Sequence, residues 1–527
     1  MHNPHPRSPS ARLSLFRLAA GLLALFASLC PRAAASPAQQ PEQTVDSNRP
    51  ESTPRKRPNI LVLLADDLNA GDLGSAGHPW LKTPHLDALA AEGTLFRRAF
   101  VTTALCSPSR ASILTGRYAR HHRILSNHEE FGERLPTFAT QLRDAGYLTA
   151  YIGKWHMGNS GGPRPGFDYT ASYGGHGKIR NSPFIVGTTT TELVQTKGWV
   201  DDVATDYAIE YLRSTRARPL LLYMGFKAPH TPRIPDERHA KLYSEVDLPP
   251  APETLRFPPY PTKAELEVLA AAAGEKVAEY RAPSDWLATW KGPRLPETEL
   301  KNGSGQGEDL RNYYRLVTGL DENVGRLMAV LRELNLERDT LVVFTSDNGL
   351  MNGRLGLYGK RSPYDEALAV PMLVRLPPSY SDVARGTTLD ELVLNVDIAP
   401  TLLDYARADL PEGMAGRSLR PLLEPRAAGE DALPWRDRFV AEFEPSSSSS
   451  CPKALALRTS RWKIISYPDH PDWTELFDLH NDPQEARDLA GDPDYAETLS
   501  TLRRSLAEES GLLGPPSDFV PTRSRFR

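Results

Sequence analysis

Cysteine is scarce in this sequence, in which only three occur among 527 residues, namely Cys30, Cys106 and Cys451. A disulfide framework needs several pairs of cysteines, so this composition excludes the classes of exported protein that depend on one. Cys30 lies in a segment that we expect to be removed, as described below. One bridge between Cys106 and Cys451 stays open as an alternative to a chemical role for either cysteine.

The sequence also has no excess of charge of either sign. It contains 62 lysines and arginines against 66 aspartates and glutamates, which gives a formal net charge of −4. This balance provides no basic surface of the kind that binds nucleic acid, so we expect no nucleic-acid partner. Any preference for an anion must therefore come from a local arrangement of residues.

Long apolar runs are rare as well, and the run near the N-terminus spans only residues 18–29. A helix that crosses a membrane needs about 20 apolar residues, so we expect no stable membrane insertion. Three arginines precede this run and three alanines follow it, which is typical of a secretory signal peptide. We therefore predict a signal peptide at residues 1–35 and an exported protein, periplasmic or secreted, or lysosomal in a eukaryote. Residues 36–57 are rich in proline, glutamine, serine and charge and indicate a disordered linker.

Four apolar stretches of strand length alternate with helical patterns along the chain. This alternation is typical of an α/β protein whose parallel sheet is buried on both faces by helices. The stretches are Asn59–Ala65, Tyr147–Gly153, Pro219–Phe226 and Thr340–Ser346. Charged, amide or imidazole side chains follow each stretch, and in parallel sheets ligands bind beyond the carboxyl ends of the strands. We therefore expect one common site formed by Asp66, Asp67, Lys154, His156, His230, Asp347 and Asn348.

A second, smaller unit is predicted after this α/β part. Three strand patterns and one helical pattern predict a small antiparallel sheet with a helix, at residues 454–458, 462–467, 475–479 and 495–508. We assign the main domain to residues 58–430 and the C-terminal subdomain to residues 431–527. The proline-rich segment at residues 245–307 is interpreted as an insertion over the site.

The run Cys-Ser-Pro-Ser-Arg at residues 106–110 combines one of the rare cysteines with the start of a helix. Pro108 fits the first helical turn, and Ser107 before it is expected to cap the helix N-terminus. Arg110 would lie one turn beyond Cys106, on the same side of the helix. The helix N-terminus and Arg110 together favour an anion beside Cys106. The alternative is a small buried cysteine followed by an arginine at the surface.

The longer run Cys106–Gly116 resembles the signature of the formylglycine-dependent sulfatases, in which Cys-Ser/Thr-Pro-Ser-Arg is followed, after four further residues, by Thr-Gly. The resemblance covers nearly all of residues 58–490. It implies an alkaline-phosphatase-like fold and the hydrolysis of sulfate esters. It also implies that a formylglycine-generating enzyme oxidises Cys106 to formylglycine (3-oxoalanine), whose hydrate attacks sulfur.

The acidic side chains at the strand ends indicate a bound cation. Asp66, Asp67, Asp347 and Asn348 offer only oxygen ligands, which suit calcium, or less well magnesium, and do not suit zinc. Both motifs that contain these residues resemble the metal motifs of sulfatases, and the resemblance implies a further oxygen ligand from the modified Cys106. Taken alone, the adjacent aspartates are also compatible with a solvated turn.

The resemblance also implies roles for the basic side chains. Arg110, Lys154 and Lys360 would hold the oxygens of the sulfate group. His230 would protonate the departing alcohol, and His156 would take the proton whose loss releases sulfate from position 106.

The sequence pattern is most similar to that of exo-acting glycan sulfatases, such as those for N-acetylglucosamine 6-sulfate or iduronate 2-sulfate. The expected substrate is therefore a sulfated carbohydrate or an aryl sulfate. Residues 173–177 and 187–191 occupy the region that often lines the site in such relatives. Many relatives have Gly-Glu-His-Gly where this chain has Gly353–Gly356, and this departure leaves the sugar open. Arg354 is a candidate for contacting a second anionic group there.

Three other functions fit parts of the sequence. A phosphonate or phosphate ester hydrolase of the same superfamily is the main alternative, although we find no second set of metal ligands. A cysteine hydrolase with unmodified Cys106 would leave the carboxylates unexplained. A glycan-binding protein without activity is disfavoured, because every expected catalytic side chain is present.

Overall fold

A ten-stranded sheet forms the centre of the structure, a computed structural model. The residues that it describes are 55–132, 135–158, 163–214, 218–248, 259–261, 263–276, 307–353, 357–424, 434–445 and 451–517. The strands up to residue 394 are β1 Asn59–Asp66, β2 Thr94–Phe100, β3 Leu148–Lys154, β4 Tyr169–Tyr173, β5 Phe184–Gly187, β6 Thr191–Val194, β7 Leu220–Pro229, β8 Thr340–Ser346, β9 Met351–Asn352, β10 Tyr358–Gly359, β11 Met372–Arg375 and β12 Thr387–Leu394. Of these, β9 and β10 form a separate hairpin.

The strand order in the large sheet is β12-β2-β11-β8-β1-β7-β3-β4-β5-β6. Strands β8, β1, β7, β3 and β4 are parallel, whereas β11, β5 and β6 pair antiparallel with their neighbours. Alternate side chains of β1 enter two different apolar clusters, so that Val62 lies on one face and Leu63 on the other. This burial of both faces explains the uninterrupted apolar run of β1. The predicted fold class, a large and mainly parallel sheet flanked by helices, is confirmed.

Helices cover both faces of this sheet. They are α1 Pro84–Glu92, α2 Cys106–Thr115, α3 Ala119–His122, α4 Phe138–Asp144, α5 Val200–Ser214, α6 Lys263–Ala273, α7 Glu308–Glu333, α8 Asp365–Leu368, α9 Ile398–Ala406, α10 Arg420–Leu423 and α11 Ala496–Leu512. Helices α2, α4 and α9 pack in the cluster that contains Val62, whereas α1, α5 and α7 pack in the cluster that contains Leu63. Within the described part of the chain, no helix is both long enough and apolar enough to cross a membrane.

The predicted small antiparallel sheet near the C-terminus is also confirmed. Its strands are β13 Arg438–Phe443, β14 Ala454–Thr459, β15 Trp462–Ser466 and β16 Glu475–Asp478, paired in that order. Helix α11 packs on one face through Leu502 and Leu506, which share a cluster with Val440, Leu457 and Ile464. The small sheet is joined to the main part near the site, since the N–H of Glu442 donates to the carbonyl of Thr102 at 2.9 Å.

Several predicted segments fall partly or wholly outside the described residues. These are the signal peptide at 1–35, most of the linker at 36–57, most of the insertion at 245–307, and Arg354. The last linker residues contact the folded part, because Arg55 pairs with Glu424 at 2.7 Å and Lys56 pairs with Asp339 at 2.9 Å. Helix α6 lies within the predicted insertion.

Candidate active site

Helix α2 places Cys106 at its first position, next to the end of β1. Because the helix begins at Cys106, Ser107 lies inside it, and the expectation that Ser107 caps the helix is wrong. The Ser107 hydroxyl instead donates to the carbonyl of His156, and the Ser107 N–H donates to the side-chain oxygen of Asn127 at 3.0 Å. Gly116 ends the helix with a φ of 65°, a conformation that favours glycine. Every residue of α2 is buried, so the helix that carries Cys106 is held in place by packing on all sides.

The Cys106 side chain is fully buried and points at the acidic end of β1. Its Sγ lies 3.5 Å from Oδ1 of Asp66 and accepts a hydrogen bond from Nζ of Lys360 at 2.8 Å. Cys106 and Cys451 are both free, so the alternative of a bridge between them is wrong. Burial raises the pKa of the Cys106 thiol well above its ordinary value despite the nearby Lys360. The unmodified thiol is therefore a poor nucleophile, because the thiolate is the reactive form.

Arg110 is buried in the site, and the alternative of an arginine at the surface is wrong. Its Nε donates to Oδ2 of Asp347 at 2.8 Å, and its Nη1 donates to the carbonyl of Lys154 at 2.7 Å. Its Nη2 lies 3.6 Å from Oδ1 of Asp66 and has no hydrogen-bond partner among the described residues. A fixed guanidinium with a free N–H group is well suited to hold an oxygen of an anion.

Asp66, Asp67, Asp347 and Cys106 lie together as expected, and one ligand atom from each falls within 4.8 Å of the others. Asn348 joins them, since its side-chain nitrogen donates to Oδ1 of Asp67 at 2.6 Å. The side-chain oxygen of Asn348 is buried and has no hydrogen-bond partner in the part of the chain that is described. Crowded carboxylate oxygens and an unpaired amide oxygen fit a hard divalent cation such as calcium or magnesium.

The carboxylates are balanced by buried cations. Lys154 Nζ bonds to Asp66, and Lys360 Nζ bonds to Asp67, on oxygens that a metal ion would share. Burial alone would raise the pKa of Asp66, but Lys154 and its other cationic neighbours hold that pKa well below its ordinary value. Burial and the charge of Asp66 raise the pKa of Asp347 to about 7. Such mutual repulsion favours an added cation, which supports the metal site on physical grounds.

The two predicted catalytic histidines also reach this site. Nε2 of His230 lies 3.7 Å from Oδ2 of Asp67, and its Nδ1 donates to the carbonyl of Thr231 at 2.6 Å. His156 follows β3 with a φ of 56°, and its Nδ1 is buried without a hydrogen-bond partner among the described residues. Burial and the charge of Lys154 keep the pKa of both imidazoles well below the ordinary value. Both rings are therefore neutral and able to take up a proton when an anionic substrate binds.

The structure adds two residues to the predicted site. The ring of His176 lies between the rings of His156 and His230, with centroid distances of 4.0 Å and 4.6 Å. Nζ of Lys227, a buried residue, donates to the carbonyl of His176 at 2.8 Å. Residues 173–177 were expected to line the site, but no role was predicted for either side chain. Lys227 follows the apolar stretch Pro219–Phe226 as Lys154 follows Tyr147–Gly153, and that signal could have identified it.

Buried carboxylates, a guanidinium and ammonium groups at the carboxyl edge of a parallel sheet form a site suited to a metal ion and an anionic ester, on an alkaline-phosphatase-like fold. The sulfatase family model matches residues 58–408, and a model for the C-terminal part of N-sulphoglucosamine sulphohydrolase matches residues 353–511. The chain belongs to the sulfatase family, and it is therefore an enzyme that hydrolyses sulfate esters.

Similar proteins support this assignment. The chain is 29% identical to an N-acetylglucosamine-6-O-sulfatase of Bacteroides thetaiotaomicron over 87% of both chains. It is 26% identical to an arylsulfatase of Clostridium perfringens, covering 86% of this chain and 94% of the relative. A solved structure in complex with its substrate D-glucosamine-2-N,6-O-disulfate shares 28% identity and a TM-score of 0.71, covering 88% of this chain and all of that chain.

Proposed function

We propose that this sulfatase releases sulfate from a sulfated carbohydrate, using formylglycine made from Cys106 and a bound calcium ion. The observation that carries this proposal is the position of Cys106, whose buried Sγ contacts both an acidic cluster and the Lys360 ammonium. An oxygen nucleophile at this position would lie between a metal and the cations that hold sulfate. Two of the similar proteins, the N-acetylglucosamine-6-O-sulfatase and the structure in complex with D-glucosamine-2-N,6-O-disulfate, are named for sulfated glucosamine, which supports a sugar ester over an aryl ester.

The metal ion would be held by Asp66, Asp67, Asp347, Asn348 and the modified residue 106. When bound, it would lower the pKa of a hydroxyl group at position 106 and stabilise negative charge on the sulfate oxygens. Calcium is preferred to magnesium, because it accepts more ligands and less regular geometry.

The remaining side chains would bind the sulfate group and move protons. Arg110, Lys154 and Lys360 would hold the sulfate oxygens, and the free Nη2 of Arg110 supports this role. His230 would take up a proton on Nε2 when the anionic substrate binds and give it to the departing alcohol oxygen, while its Nδ1–H stays bonded to the Thr231 carbonyl. His156 would accept the proton whose removal releases sulfate from position 106.

The cellular setting is part of the same proposal. The apolar run at residues 18–29 supports a signal peptide at residues 1–35 and export, and a formylglycine-generating enzyme would act on residue 106. We further propose a linker over residues 36–57, a catalytic domain over residues 58–430 and a C-terminal subdomain over residues 431–527.

The test is to produce the chain together with a formylglycine-generating enzyme and to measure the mass of the peptide containing residue 106. We expect an aldehyde there, and sulfate release from N-acetylglucosamine 6-sulfate and from 4-nitrophenyl sulfate. Cys106→Ala should lose at least about 10³-fold in kcat. After treatment with EGTA, activity should fall and should recover with calcium better than with magnesium.

Each other result would point elsewhere. A plain thiol after this production would overturn the proposed nucleophile. An aldehyde without sulfate release, but with release of a phosphonate or phosphate ester, would favour the main alternative function. Full activity after EGTA treatment would overturn the metal site.

A further inference from the structure

His176 lies over the site on the side that faces solvent. It is exposed, whereas Lys154 beneath it is fully buried. Its ring packs between those of His156 and His230 at centroid distances of 4.0 Å and 4.6 Å. A sulfate group held by the buried cations would lie deep in the site. The alcohol part of the ester must therefore leave the site past exposed residues such as His176.

The hydrogen bonds of His176 fix which ring nitrogen is free. Its Nδ1 lies 3.3 Å from Nζ of Lys154. A lysine ammonium can only donate, so Nδ1 is the acceptor and the ring proton resides on Nε2. Desolvation of the ring where it packs against His156 and His230, together with the charges of Lys154 and His230, keeps the pKa of His176 well below its ordinary value, although part of the residue is exposed. This favours the neutral ring. His176 therefore offers a neutral Nε2–H donor.

The backbone of His176 is held in place from below. Nζ of Lys227 donates to the His176 carbonyl at 2.8 Å, and Lys227 is only 2% exposed. The N–H groups of Lys227 and Ala228 donate to the two carboxylate oxygens of Asp201, at 2.8 Å and 2.9 Å. Asp201 is itself fully buried in α5. The loop that carries His176 is thus connected to α5 through a buried lysine.

We infer that His176 is a specificity-determining residue, whose Nε2–H donates to a hydroxyl oxygen on the sugar that carries the sulfate. Lys227 acts as its positioning residue, because it fixes the backbone from which the ring extends. This inference rests on the proposed function, since it concerns the alcohol half of the same ester. An aryl sulfate has no such hydroxyl and would not depend on His176.

The experiment compares variants of the aldehyde-containing, calcium-loaded enzyme on N-acetylglucosamine 6-sulfate and on 4-nitrophenyl sulfate. In His176→Gln the amide nitrogen takes the place of Nε2, whereas in His176→Asn it takes the place of Nδ1. We expect kcat/KM for the sugar sulfate to fall by about 10-fold in His176→Ala and His176→Asn, mainly through KM, which is the effect of one lost neutral hydrogen bond. His176→Gln should keep most of the activity.

Two controls separate this role from a general loss of structure. For 4-nitrophenyl sulfate, kcat/KM of the three variants should fall by about 3-fold or less. No bond to a substrate hydroxyl is lost there, and Lys154 keeps its bond to Asp66 when it loses Nδ1 of His176. Lys227→Met should raise KM for the sugar sulfate, whereas His480→Ala, at an exposed position outside the site, should change neither substrate.

Equal losses on both substrates, or no loss on the sugar sulfate, would overturn the inference while leaving the proposed function intact. Equal activity of His176→Gln and His176→Asn on the sugar sulfate would also overturn it. Absence of sulfate release by the unchanged enzyme from any ester would overturn the proposed function, and the inference with it.

Discussion

His156 and His230 are the same kind of residue in two different settings, and their partners separate their roles. His230 bonds through Nδ1 to a carbonyl and directs Nε2 toward Asp67. His156 has a buried and unpaired Nδ1 among the described residues, next to the helix that carries Cys106. A proton donor for the leaving group matters only when the leaving oxygen is strongly basic. A base that releases sulfate matters for every substrate.

This difference predicts that the loss of activity depends on the substrate when His230 is replaced and does not depend on it when His156 is replaced. His230→Ala should lower kcat by about 10²- to 10⁴-fold on a sugar sulfate, whose alkoxide needs protonation. The same variant should lose about 10-fold or less on 4-nitrophenyl sulfate, because nitrophenolate leaves without a proton. His156→Ala should lower the steady-state rate on both substrates alike. Measured kcat values for the two esters check this, and a uniform loss in His230→Ala would contradict the role of proton donor.

The residues of the site could be predicted where a strand fixes their position. Asp66, Lys154 and Asp347 follow uninterrupted apolar runs, so sequence alone places them at one edge of the sheet. His176 and Lys227 were not assigned roles, because their contact depends on how a loop of glycines folds over β7. The prediction that Ser107 caps the helix is wrong, because its hydroxyl donates a hydrogen bond to the carbonyl of His156, which lies far away in sequence.

At the scale of elements, the segment after β7 must hold His230 against the site. Arg233 is the anchor of this segment and is almost fully buried as a side chain. Its Nη1 donates to Asp309 at the start of α7 at 2.6 Å, and its Nη2 donates to Asn352 in β9 at 2.5 Å. Its guanidinium also lies 4.9 Å from the ring centre of Tyr313. Arg233 thus links the His230 segment to α7 and to the hairpin that leads to Lys360.

We therefore predict that Arg233→Met lowers kcat on the sugar sulfate by about 10- to 100-fold, since a small misplacement of catalytic groups is costly. It should also lower the free energy of unfolding by about 1.5–3 kcal/mol, because Asp309 and Asn352 lose hydrogen bonds from a charged group. Arg213→Met, which breaks the exposed pair with Glu333, should change neither quantity and serves as the matched control. An unchanged kcat in Arg233→Met would show that the His230 segment is held by other contacts.

The central strands could be predicted from the sequence, because every residue of β1, β7 and β8 is buried and their sequences contain continuous apolar runs. The predicted strands at 340–346 and 454–458 match β8 and β14 closely. Strand β7 extends to Pro229, three residues beyond the predicted end, because Pro229 still pairs with Asp66 of β1, while Asp201 accepts hydrogen bonds from the N–H groups of Lys227 and Ala228. No local pattern could indicate this, since Asp201 comes from α5.

At the scale of the whole molecule, the small C-terminal sheet is joined to the main part by a buried ion network. Lys463 in β15 is fully buried and bonds to Asp365 at 2.8 Å and to Glu485 at 2.7 Å. Asp365 begins α8, and its N–H donates to Glu485 at 2.7 Å. Arg458 lies 3.3 Å from the other oxygen of Asp365. The network lies a few residues after Lys360, so the small sheet supports a loop of the site.

Removing the lysine from this network gives the last prediction. Lys463→Met should lower the free energy of unfolding by about 3 kcal/mol at neutral pH, because it leaves the buried Glu485 and the half-buried Asp365 without their main cation. Burial opposes ionisation of Asp365, yet Lys463 and Arg458 hold its pKa below the ordinary value in the folded protein. A lowered pKa contributes stability that is present above the unfolded-state pKa and lost as the pH falls. The variant lacks most of this contribution, so its deficit should be larger at pH 7 than at pH 3, which lies below the ordinary pKa of an aspartate. Thermal unfolding midpoints at both pH values measure this, with Lys453→Met, at a half-exposed lysine that pairs with Glu444, as control. A deficit that grows toward acid pH would show that the network does not stabilise the ionised form of Asp365.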